Sequence, residues 1–220
     1  MQSKPHTLEQ AAQRVSGADA LLITTGAGMG VDSGLPDFRG NEGFWKAYPP
    51  MKKLGASFTD MANPQWFEAD PKIAWGFYGH RLNLYRRTEP HKGFRLLKAL
   101  GESKPGGYFV FTSNVDGQFQ KAGFRHTRIE ECHGSIHHFQ CAVPCSQEIW
   151  EASDTDVHVD ESTFRAAPPL PLCPRCQFSA RPNILMFGDY AWQAHRTEQQ
   201  SQRRAAWLEG IRNKGQALVI

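Results

Sequence analysis

The sequence predicts an α/β protein built on a doubly wound parallel sheet, and three observations carry that prediction. Apolar, partly β-branched runs alternate with helical patterns, one run leads directly into a cluster of glycines, and polar residues suited to a ligand follow the runs where strands should end. The composition agrees. Of 220 residues, 40% are hydrophobic and 21% charged, and 25 Lys and Arg against 22 Asp and Glu give a net charge of +3, which excludes disordered, collagenous and coiled-coil chains. The basic residues are scattered, so nothing calls for nucleic acid or an anionic membrane as a partner. No apolar run approaches the roughly 18 residues of a membrane helix, and MQSKPHTLEQAAQ carries no secretory pattern. A cytoplasmic protein is expected, with no signal of its oligomeric state.

Taken in order, TLEQAAQRVSGAD reads as a short helix and ALLITT as a strand that enters the glycine turn GAGMG. Further strands are expected in GYFVFT (107–112), RIEEC (128–132), NILMF (183–187) and the final QALVI. Helices are expected at 71–87, 92–102, 116–123 and 196–213. The polar stretch SDTDVHVDESTF and the proline cluster AAPPLPLCP, within 153–174, break that rhythm and suggest a separate small module. QALVI should deliver one more loop to the ligand edge, so a further ligand-binding segment is expected beyond Ile220.

The stretch TTGAGMGVDSGLPDFRG (24–40) offers closely spaced glycines after a strand, where backbone amides can approach a pyrophosphate. It is not the standard G-x-G-x-x-G, and spacing alone fits equally a tight turn without a ligand. The run PDFR sharpens the reading, because a carboxylate and a guanidinium beside an aromatic are costly to bury unless they meet a polar ligand.

Four ordered blocks carry a resemblance to a known family. GAGMGVDSGLPDFRG resembles the cofactor loop of sirtuins, the NAD-dependent protein deacylases; TSNVD (112–116), ECHGS (131–135) and RPNILMFGD (181–189) resemble three further motifs of that family. Two departures stand out: Gly30 where the family usually has serine, and Ser113 where it usually has glutamine.

The resemblance implies an NAD cofactor, an acyl-lysine protein or peptide as substrate, and a reaction giving nicotinamide, O-acyl-ADP-ribose and free lysine. His133 would be the general base acting on a ribose hydroxyl, a task suited to an imidazole. Asn114 and Asp116 would order the ribose with a water and hold the nicotinamide carboxamide, although both types also favour ordinary turns. Gly26, Ala27, Gly28, Asp37, Phe38, Arg39 and Ser113 carry over as cofactor-loop positions, with Phe38 shielding the reactive sugar carbon. Phe187 and Gly188 match the segment on which the peptide adds as a strand. Serine cannot reach a ribose hydroxyl that glutamine can, which keeps ADP-ribosyl transfer, NAD hydrolysis and a non-enzymatic nucleotide-binding module as alternatives.

Of five cysteines, Cys141 and Cys145 are followed after 27 residues by Cys173 and Cys176. Two close pairs bracketing a loop suit tetrahedral zinc, and four thiolates with no open position make it structural. Four unrelated thiols are the alternative on spacing alone; the resemblance favours zinc, since sirtuins carry such a module here. His137 and His138 are strand residues not needed as ligands. Cys132 reads as a small buried hydrophobe in preference to a redox thiol.

On the helix at 71–87, Tyr78 and Arg81 lie three apart on one face, where a phenol and a guanidinium can grip a small carboxylate. Y-x-x-R at this place resembles the sirtuins that prefer succinyl and malonyl lysine. The plainer alternative packs Tyr78 in the core and leaves Arg81 solvated. The expected architecture is a Rossmann-like domain (1–43, 88–138 and 181–220), a helical insertion (44–87) and a zinc module (139–180).

Overall fold

Thr7 opens the first helix, α1 (Leu8–Gly17), through a capping box: its hydroxyl accepts from the Gln10 amide, and the Gln10 side chain accepts from its own. The computed structural model describes residues 7–37, 45–46, 48–49, 52, 55–160, 162–212 and 215–220. Among the described residues nine strands follow in chain order: β1 (Ala20–Thr25), β2 (Tyr108–Thr112), β3 (Ile129–Glu131), β4 (Gly134–Cys141), β5 (Ile149–Glu151), β6 (Val159–Asp160), β7 (Arg165–Ala166), β8 (Ala180–Ile184) and β9 (Ala217–Val219). The other helices are α2 (Phe58–Met61), α3 (Trp66–Ala69), α4 (Pro71–Arg87), α5 (Lys92–Glu102), α6 (Gln118–Lys121) and α7 (His195–Arg212). Among the described residues no helix is long and apolar enough to cross a membrane.

The main sheet has the order β3-β2-β1-β9 and is parallel throughout, with Leu21 opposite Tyr108, Val110 opposite Ile129 and Ala20 opposite Ala217. Alternate residues of a strand face opposite ways. Leu21 and Ile23 therefore meet Phe94 of α5 and Phe119 of α6, while Ala20 and Phe109 meet Trp207 and Ile211 of α7. Helices cover both faces, as the doubly wound prediction requires. The expected helix at 116–123 is only the single turn α6.

NILMF does not supply a fourth parallel strand. The strand lies upstream as β8 and pairs antiparallel with β4 in a second sheet of order β5-β4-β8. Pro182 within it is tolerated because β8 is an edge strand. Divisions at 138/139 and 180/181 fall inside β4 and β8, so both strands run continuously from the expected large domain into the cysteine-bearing part. Where the two strands begin to pair, Gly134 has φ +81°, and a side chain there would collide with the Asn183 carbonyl.

The largest core surrounds α4, which is started by Asp70 accepting from the Ile73 amide and by Pro71 in the first turn. Trp75, Phe77, Tyr78 and Leu82 are buried among Tyr48, Phe67, Ile136, Phe139 and Ile184. The helix is thus wedged between the residues that precede it and the second sheet. Gly76 and Gly79 form a bare face on which the β6–β7 hairpin lies; a Cβ at Gly76 would strike the Phe164 carbonyl. The polar stretch read as a separate module is in fact docked on α4.

Candidate functional site

The carboxyl ends of β1, β2 and β3 empty into one cleft of about 440 Å³, which is where open α/β sheets bind ligands. From the turn after β1 come Ala27 and Gly30, followed by Asp37; from the turn after β2 come Ser113, Asn114 and Asp116; after β3 comes His133. The opposite wall is Tyr78, Arg81 and Tyr85 of α4 with Phe187. Gly26 and Gly28 belong to the same turn without forming the wall, and Gly188 follows Phe187 with φ +65°. Phe38 and Arg39 lie outside the described residues.

The strand ends are tied together before any ligand arrives. Thr25 and Thr112 share a 2.8 Å hydroxyl hydrogen bond, and the Asn114 amide donates to the Gly26 carbonyl at 2.9 Å. The Ser113 hydroxyl lies 3.5 Å from the Thr25 carbonyl, and Ser113 lines the cleft with a side chain shorter than a glutamine's. The Asp116 carboxylate accepts from the Gln118 amide at 2.9 Å. Burial pushes this carboxyl up to about 6 against that hydrogen bond, and Glu131 adds to the rise. His133 is exposed in the cleft, and its carbonyl accepts from Leu185 at 3.0 Å, which fixes the segment leading to Phe187.

That segment is held from three sides. The Phe187 amide donates to the Ala62 carbonyl at 2.9 Å, and Met186 donates to the Asp189 carboxylate. Asp189 in turn takes two hydrogen bonds from Arg181, at 2.7 and 2.9 Å, with both side chains sealed from solvent. A bidentate pair of this kind fixes the loop geometry, since neither charge can be left alone in the interior.

Arg81 is buried, not solvated. Its guanidinium lies 5.2–5.8 Å from the rings of Phe58, Phe77, Tyr78 and Tyr85 and donates to the Tyr85 hydroxyl. The Tyr78 hydroxyl has no hydrogen-bond partner among the described residues. Burial pushes its pKa up to about 12, so it stays a donor at neutral pH. Tyr85 and Phe58 were not singled out from sequence. Tyr85 carried a signal, four residues after Arg81 on the same helical face; Phe58 carried none.

At the far end of β4, the four expected cysteines converge, their sulfurs all within 4.8 Å of one another. Cys141–Cys176 and Cys145–Cys173 are each 3.6 Å apart. Zinc–sulfur bonds of about 2.3 Å in a tetrahedron put sulfurs roughly 3.8 Å apart, so the four fit a structural zinc. His137 and His138 lie on β4 outside this cluster. Cys132 is half-buried, and burial together with Glu130 pushes its thiol up, the reverse of a reactive cysteine.

Residues 26–208 match the Sir2 family. The chain is 31% identical over 182 residues to an NAD-dependent protein deacylase of Aeropyrum pernix, covering 82% of this chain and 64% of that protein. It is 33% identical over 187 residues to an NAD-dependent protein deacylase of Thermococcus kodakarensis, covering 83% and 65%. The chain thus spans less than two thirds of the length of these relatives. A Sir2 homolog–NAD complex matches with a TM-score of 0.71 and 26% identity, over all of this chain and 74% of that one. With the βα turn, the Asn114–Asp116 pair, His133 and the four-cysteine cluster arranged as described, the chain belongs to the Sir2 family.

Proposed function

We propose that the cleft carries out NAD-dependent removal of acyl groups from protein lysine, with succinyl or malonyl lysine preferred over acetyl lysine. The observation that supports the acyl preference is the far wall: a buried guanidinium and an unpartnered buried phenol, Arg81 and Tyr78, facing the cleft that His133, Asn114 and Asp116 face from the other side. NAD, when bound, supplies an electrophilic ribose carbon and nicotinamide as leaving group.

The residues' own tasks follow from their positions. Ala27 and Gly30 leave room for phosphates at the end of β1, and Asp37 lies beside them. Asn114, braced on Gly26, orients the ribose, and Asp116 beside it holds the carboxamide; a carboxyl pushed up to about 6 can donate as well as accept near neutral pH. His133, exposed in the cleft, accepts a proton from a ribose hydroxyl. The peptide lies along Phe187 and Gly188, a segment fixed by Ala62, His133 and the Arg181–Asp189 pair. Tyr78 and Arg81 donate to the acyl carboxylate, which an acetyl group lacks.

The short side chain of Ser113 in the cleft supports the rival reading, NAD hydrolysis or ADP-ribosyl transfer. One assay separates them: nicotinamide release from NAD with acetyl-lysine, succinyl-lysine or no peptide. Release that needs the succinyl peptide is expected. Release without peptide would establish a hydrolase, and none with any peptide would leave a nucleotide-binding module.

A further inference from the structure

A second cavity, also of about 440 Å³, lies behind the turn that carries Asp116 and is separate from the cleft in its lining. Six basic side chains from four different places in the fold meet there: Arg86 at the end of α4, His126 ahead of β3, His137 and His138 on β4, and Arg196 and Arg203 on α7. Among the described residues Glu151 is the one carboxylate in the lining. Arg196 is paired with Glu131 at 2.6 Å. Arg86 is held by the carbonyls of Ala152 and Thr155, which fix its position, with the Asp156 carboxylate acting on it from nearby. Arg203 has no ion pair among the described residues.

Two polar atoms of this wall, Nδ1 of His138 and Nη1 of Arg196, lack a hydrogen-bond partner among the described residues. Buried groups of this kind ordinarily have one. Burial first, then Arg196, His137 and His126, push the His138 imidazole down to about 3, so this ring meets an occupant as a neutral hydrogen-bonding group while Arg86, Arg196 and Arg203 carry the charge.

We propose that this cavity binds a small phosphorylated anion. Guanidinium forks and imidazoles converging from several directions match the spread of oxygens on a phosphate group, and the volume lies within the range of small-molecule sites. The site is also connected to the cleft. His137 donates from Nε2 to the Asp116 carbonyl at 2.9 Å and its ring lies against Gly117, so an occupant touching His137 is one residue from Asp116.

The test is a titration of the histidine ring NMR signals with inorganic phosphate, and separately with glucose 6-phosphate, at constant ionic strength. It reads the location of binding independently of any deacylase activity. Saturable shifts of His126, His137 and His138 are expected, and the probe that binds tighter distinguishes the free ion from a phosphate ester. Removing Arg203 and His126 together, as Arg203→Ala with His126→Ala, should weaken binding at least about tenfold as read on His137 and His138, because charge-assisted contacts are lost. Shifts confined to His133, no saturable shift, or undiminished affinity in the folded double variant would overturn the proposal.

Discussion

The Arg81 guanidinium donates from both Nε and Nη2 to the Tyr85 phenol oxygen, at 3.1 and 2.9 Å, one helical turn apart on α4. Tyr85 thereby holds the guanidinium toward the cleft. Tyr85→Phe should raise KM for a succinyl-lysine peptide several-fold, with a smaller change in kcat and none for an acetyl peptide. Loss of both activities in parallel would assign Tyr85 to the core alone.

Arg81→Met removes the charge itself. A desolvated charge partner is worth about 2–5 kcal/mol, so succinyl-lysine kcat/KM should fall at least about tenfold while acetyl-lysine turnover barely moves. Comparing the two peptides on one protein preparation checks it. A wild type that prefers acetyl lysine removes the basis for the carboxylate grip.

The His133 side chain makes no hydrogen bond or ion pair among the described residues, and it stands exposed in the cleft. His133→Ala should therefore leave melting temperature and NAD affinity nearly intact and lower peptide-dependent turnover by about two to four orders of magnitude. Wild-type turnover in this variant would end its assignment as the base.

On the proposed reaction, Asp116 is a place where stability and chemistry oppose one another. Its folded value of about 6 is above the unfolded 3.8, so the native state holds more protons between those values and stability falls as pH rises through that window. Above about pH 6 the penalty is on the order of 3 kcal/mol. Asp116→Asn keeps an acceptor for the Gln118 amide and carries no charge. Its melting temperature should exceed wild type at pH 7.5 and equal it near pH 4, while turnover is lost. A lower melting temperature at pH 7.5 would show that the carboxylate is compensated.

About one zinc per chain is expected by metal analysis of protein purified without chelator. Cys173→Ser with Cys176→Ser should abolish it and lower stability, with residual turnover in the molecules that remain folded. Metal-free wild type of unchanged stability would make the cluster a plain thiol loop.

The parts of the site carried on single turns were legible from sequence. A strand followed at once by glycines, by Ser113-Asn114-Val115-Asp116 or by His133-Gly134 announces a ligand edge, and the structure brings these turns together in the cleft. Tyr78 and Arg81 were legible as a helical pair, but their burial was not, because it depends on Phe58 and Phe187 arriving from elsewhere. The antiparallel β4–β8 pairing was misread because Asn183-Ile184-Leu185-Met186-Phe187 looks like a buried parallel strand, and the proline that marks an edge lies just before it. The second cavity left no local trace, since its basic residues come from separated elements and each alone looks like a solvated charge.

His133 and Gly134 are neighbours in the chain but answer to different masters. One is asked for by the proposed reaction; the other is asked for by the carbonyl of Asn183, which leaves no space for a β-carbon. A descendant that dropped the histidine would keep the joint between β4 and β8 and, on the proposed reaction, lose only the turnover. One that dropped the glycine would prise β4 from β8 and move the imidazole without altering it. The dipeptide that announces the chemistry is therefore half hinge-pin, and its persistence in a chain would testify to shape before it testified to activity.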